Sequence, residues 1–148
     1  MAKSKSPRAA KSMRAELTLD NGDAAWGQAA LRVAKELGKS PNQMLTEALR
    51  DWLWQASGLK RLFEQVRETG EQMTRAFQVE GMLVSLAKSG GVSLGAQSDY
   101  LKRAEQEREQ YTEHRKKLIR LVRDVRRVAG ETQLPGAVEA AAKLVVPE

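Results

Sequence analysis

The chain has 148 residues, with 25 Lys and Arg against 19 Asp and Glu (a formal charge of +6), no cysteine and one histidine. That composition excludes disulfides, thiolate catalysis, cysteine-based zinc sites and any chemistry needing two histidines, and its basic surplus favours polyanionic partners. No apolar run approaches the ~20 residues that span a bilayer, and the basic N-terminus lacks the apolar stretch of a signal peptide, so the sequence predicts a cytoplasmic protein without membrane contact.

In chain order, residues 1–11 predict a flexible arm: Lys3, Lys5, Arg8 and Lys11 meet no acidic residue there, and no apolar period appears. Ala15, Leu17 and Leu19 then alternate with Arg14, Glu16 and Thr18, the period-two pattern of a half-buried strand. Trp26, Ala30, Val33, Ala34 and Leu37 follow at helical spacing and stop at Gly38. Ser40 and Pro41 offer an N-cap and a proline at the first helical position. The helix they open carries Met44, Leu45, Ala48, Leu49, Trp52 and Leu53 on one face, with Trp54 off that stripe and free to meet the C-terminal segments. A lone strand cannot satisfy its own edges, so this unit predicts a homodimer or a higher homo-oligomer.

The strand RAELTLD, the break G-K-S-P-N at Gly38–Asn42 and the following M-L-x-x-A-L at Met44–Leu49 resemble the ribbon-helix-helix family of small DNA-binding proteins. The resemblance covers roughly residues 12–55, and residues 12–57 would form the DNA-binding and dimerisation domain. It implies that two strands pair into a ribbon lying in the major groove of double-stranded DNA. Arg14, Glu16 and Thr18 would then touch bases. Phosphate would be held by Lys3, Lys5, Arg8 and Lys11 of the arm, and by Lys39, Ser40, Asn42 and Gln43 where the second helix begins. The dimer core would be Ala15, Leu17, Leu19, Trp26, Val33, Leu37, Leu45, Leu49 and Trp52.

Beyond Gly58, the apolar residues of Leu59–Lys88 recur at spacings of three and four, with Gly70 and Gly81 interrupting. Ser89–Ser98, with three glycines and three serines, predicts a turn, and Ser98-Asp99 a cap for the next helix. Asp99–Val128 carries Leu101, Ala104, Tyr111, Leu118, Leu121, Val122, Val125 and Val128 as a stripe. The two segments predict an antiparallel helical hairpin over residues 58–129, and residues 130–148 a tail with one short helix at Ala137–Leu144. The fold class expected is therefore mainly α: one ribbon strand, two helices, then the hairpin.

No catalytic constellation emerges, and neither a metal nor a cofactor is expected. His114 lies among Glu113, Arg115, Lys116 and Lys117 as a surface residue, and Glu105, Glu107, Glu109 and Glu113 alternate with basic residues as a solvated face. The run Arg115, Lys116, Lys117, Arg120, Arg123, Arg126 and Arg127 surrounds the apolar stripe, which favours a solvated face over a second DNA contact or an acidic partner. The expected function is dimeric, sequence-specific DNA binding as a plasmid-transfer accessory near an origin, with the hairpin available to a relaxase or another protein. A transcriptional repressor and a helical scaffold without DNA function are the alternatives.

Overall fold

A computed structural model describes Thr18, Leu19 and residues 23–146. Every regular element among them is an α-helix: α1 (Ala24–Glu36), α2 (Pro41–Ala56), α3 (Leu59–Lys88), α4 (Leu94–Thr132) and α5 (Pro135–Ala142). Contacts divide the chain inside α2, into one unit up to Leu45 and a second from Thr46 onward.

In the first unit, α1 ends where Gly38 adopts φ 69°. The Gly38 amide donates to the Lys35 carbonyl at 3.0 Å and the Lys39 amide to Ala34 at 2.8 Å, so the left-handed residue closes two otherwise open carbonyls. At the start of α2, the Ser40 amide donates to Gln43 Oε1 at 2.8 Å and the Gln43 amide to Ser40 Oγ at 3.2 Å, a reciprocal capping box. Few of the described residues of this unit are buried. Gly27 and Ala34 are the buried positions of α1.

The ribbon-helix-helix expectation is overturned. The described residues contain no strand, and Thr18 and Leu19, the described end of the expected one, belong to none. Alternation over six residues sets two faces but supplies no partner, and a strand persists only where a second backbone satisfies its edge. Leu19 is instead half-buried over α1, where its side chain fills the space that a Cβ on Gly27 would need. Two helices joined by Gly-Lys-Ser are too common an arrangement to carry the resemblance alone. Arg14, Ala15, Glu16, Leu17 and the arm with Lys3, Lys5, Arg8 and Lys11 lie outside the described residues.

The second unit is organised by the antiparallel pair α3 and α4, with α5 packed on α4. Gly58, at φ 78°, lets α3 begin straight after α2. The turn between the long helices is shorter than Ser89–Ser98. The Ser93 hydroxyl accepts from the Ala96 amide at 3.3 Å and caps α4, so that helix starts at Leu94, five residues before the predicted Asp99. Of the segment's glycines only Gly95 falls inside α4, at a cost of about 1 kcal/mol relative to Ala, which the cap and the hairpin packing offset. Gln97 Nε2 donates to the Ala87 carbonyl at 2.6 Å and ties the turn across.

α4 also runs past Val128 to Thr132, and the predicted tail is part of the core. Gln133 turns the chain at φ 53°, Leu134 is extended, and Pro135 opens α5 two residues ahead of the predicted Ala137. Leu59, Val125, Ala129, Leu134, Ala137 and Ala141 form one buried cluster, flanked by Trp54, Phe63 and Leu144. Met73, Leu118 and Val122 form another, flanked by Tyr111, Leu144 and Val146. Trp54 stacks on Phe63, with ring centroids 5.5 Å apart and planes 11° from parallel, as its position off the α2 stripe suggested. Arg126 anchors the end of the chain: Nη2 donates to the Leu144 carbonyl at 2.9 Å and Nε to Ala141 at 3.5 Å.

Candidate nucleic-acid interface

The basic surface of α4 follows from its helical period. Leu118, Val122, Val125 and Ala129 are buried. Lys116, Arg120, Arg123 and Arg127 share their 4–3–4 spacing but fall on the opposite side, and all four are exposed. At 1.5 Å per residue they mark a stripe about 16 Å long.

Its ends are held and its middle is open. Lys116 Nζ contacts Glu113 Oε1 at 2.9 Å. Arg127 contacts Glu131 at 3.2 Å and Asp124 at 3.8 Å. Arg120 and Arg123 form no ion pair with a described residue. Lys117, also exposed, lies beside the stripe. The hydrogen bond from Lys116, then its charge and that of Arg120, holds the Glu113 carboxyl below the usual carboxylate range. That small contribution is complete above the ordinary carboxylate pKa and is lost as pH falls through the lowered value.

The same outer face changes sign toward the N-terminus of α4, where Glu105, Glu109 and Glu113 are exposed one turn apart. Arg108 interrupts them but is engaged, with Nη2 2.7 Å from Glu80 Oε1 on α3. On this outer face the exposed basic residues are therefore gathered between Lys116 and Arg127, toward the C-terminal end of α4.

The residues that the resemblance implied for phosphate are arranged differently. The amides of Ser40 and Gln43 are already satisfied by each other's side chains, so an anion there would have to displace the capping box. Lys39 is half-buried and Asn42 exposed, both with partners of their own. Of the residues expected in a dimer core, Leu19 and Leu45 are half-buried. Trp26, Val33, Leu37, Leu49 and Trp52 are exposed within the single chain, by 57%, 52%, 67%, 58% and 65%. His114 is half-buried on α4.

The exposure of the basic run agrees with the solvated face that the sequence favours; the structure adds its phase, since Lys116, Arg120, Arg123 and Arg127 repeat with the spacing of the buried stripe but half a turn away. Arg126 is different, because its guanidinium is committed to the C-terminal carbonyls. Among the described residues, no group of His, Asp or Glu is arranged to hold a metal ion. No protein-family model, curated protein or solved structure matches the chain.

Proposed function

We propose that this chain is a dimeric DNA-binding protein that holds duplex phosphates with the outer face of α4, acting as an accessory component, as in plasmid transfer, rather than as an enzyme. The observation that carries the reading is the stripe Lys116, Arg120, Arg123 and Arg127, exposed opposite the buried face, with its two middle arginines in no ion pair with a described residue. Guanidinium groups suit phosphate because their planar donors reach two oxygens at once. Contacts of this kind position a protein on DNA without selecting a sequence.

Self-association is supported by α1, where Trp26, Ala30, Val33 and Leu37 lie on one side of the helix and its three large members stand open to solvent. A second chain laid on that side would remove them from water, at about 25 cal/mol per Å² of apolar surface. Two copies would also double the basic stripe, taking the formal charge from +6 to +12 (2 × 6).

The reading is tested by titrating a fluorescent duplex with the protein over a series of salt concentrations. The expected result is binding that weakens steeply with salt, by about 0.9 in the log–log slope for each phosphate contacted. Absence of binding at low salt, or binding independent of salt, would remove the proposal.

A further inference from the structure

The outer line of α4 is its own opposite in charge. Lys102 stands alone ahead of the carboxylates Glu105, Glu109 and Glu113, and Glu131 follows the four cations that begin at Lys116. All nine residues are exposed, and at about 100° per residue they stay within an arc of about 80°. Turned end for end about Lys116, the line meets the opposite sign at every position but Lys116 itself. Lys102 comes to Glu131, Glu105 to Arg127, Glu109 to Arg123, and Glu113 to Arg120. Pairing inside the helix does not account for this order. Along the line only Lys116 with Glu113 and Arg127 with Glu131 pair, both where the sign changes. Lys102, Glu105, Glu109, Arg120 and Arg123 form no ion pair with a described residue.

We infer that a second copy of this chain lies antiparallel along the outer face of α4, related to the first by a two-fold axis at Lys116. Self-complementarity selects the occupant. A foreign charged partner needs one sign of charge on this face, whereas a face that matches its own reversed image needs a copy of itself. In a two-fold contact residue i meets j and j meets i, so each opposite-sign pair forms twice along about 44 Å of helix. The two Lys116 side chains at the axis are each held by Glu113 of their own chain at 2.9 Å.

The charges also set the register. Sliding one helix by a turn puts Glu105 on Glu131 in one direction and Lys102 on Arg127 in the other. Like charges brought together in this way select against wrong alignments more strongly than surface ion pairs favour the right one. The contact is therefore reversible and screened by salt. It needs the same guanidinium groups that were proposed above to hold phosphate, so a paired copy and a duplex exclude one another on this face. That consequence alone rests on the proposed function.

Sedimentation of the full-length protein is followed at about 0.01 M and about 1 M salt, where charges act over about 30 Å and about 3 Å. Two variants reverse the ends that would face each other, Glu105→Lys/Glu109→Lys and Arg123→Glu/Arg127→Glu. The unsubstituted protein should show an association step at low salt that disappears at high salt. Each variant alone should associate at least about tenfold more weakly, and their equimolar mixture should recover to within about threefold. Net charge makes the opposite demand, because the first variant rises from +6 to +10 (6 + 4) and the second falls to +2 (6 − 4). An Arg123/Arg127 variant that associates at least as well as the unsubstituted protein therefore overturns the inference. So does a mixture no stronger than its components, or an unsubstituted protein with no salt-sensitive step. Self-association through the apolar face of α1 is not screened by salt, so each of those results leaves it standing.

Discussion

Helix α1 and the hairpin carry apolar residues at the same helical spacing, and their apolar faces meet different surroundings. In the hairpin the stripe of Leu118, Val122, Val125 and Ala129 is buried, because α3 and α5 supply matching faces from the same unit. In α1 the stripe of Trp26, Val33 and Leu37 remains open, and the two buried positions of that helix, Gly27 and Ala34, are small. Amphipathic periodicity states which residues share a face. It does not state what the face meets. Where the chain continues into a second long helix with a complementary stripe, one chain completes the core; where it does not, the face stays exposed in the single chain.

The contrast is sharpest for large side chains. Leu59→Ala empties a position with no exposure at all and should cost about 2–5 kcal/mol in urea-induced unfolding. Trp26→Ala removes a larger side chain but should cost less intrachain stability than Leu59→Ala, since 57% of its surface is already exposed. The same substitution should weaken self-association. If the two variants lose stability equally, α1 has a core that these contacts do not reveal.

A smaller effect concerns what closes the hairpin core. Arg126→Ala removes both hydrogen bonds to the C-terminal carbonyls and should cost about 1 kcal/mol. Amide exchange should accelerate over 137–146 and stay unchanged at the Ser89–Ser93 turn. Uniform acceleration would mean that Arg126 supports the whole unit rather than its end.

The smallest expected effect compares two helical glycines. A Cβ at Gly70 meets nothing, so Gly70→Ala should stabilise by about 0.5–1 kcal/mol through helix propensity alone. At Gly27 the same Cβ meets the Leu19 side chain, and the gain should be cancelled by displacing it. Equal stabilisation of the two variants in thermal unfolding would show that Leu19 does not lie on α1.

Much of the helical architecture was legible. The bounds of α3, Leu59–Lys88, follow from an apolar period that runs from Gly58 to Ser89 through the interruptions at Gly70 and Gly81, and the Trp54 contact followed from its angle on α2. The start of α4 was not legible, because Ser93 and Gly95 read as loop until the capping hydrogen bond is seen. The strand failed for a different reason. Its evidence was alternation alone, and alternation carries no information about a pairing partner. The basic stripe was visible as composition but not as a surface, since its meaning depends on which side of α4 faces α3. Arg126 could not be singled out, because its acceptors are carbonyls brought back by the turn at Gln133.

The central claim, that phosphate is held by the outer face of α4, is tested most directly by two variants of equal charge. Arg120→Gln/Arg123→Gln and Lys102→Gln/Arg103→Gln each remove two exposed positive charges from α4, so both lower the formal charge from +6 to +4 (6 − 2). Their affinities for one duplex are compared across a salt series. The account predicts that the Arg120/Arg123 variant loses most of its affinity and about 1.8 of the salt slope per chain, while the Lys102/Arg103 variant stays close to the unsubstituted protein. Equal losses in the two would show that net charge, not this face, attracts the DNA.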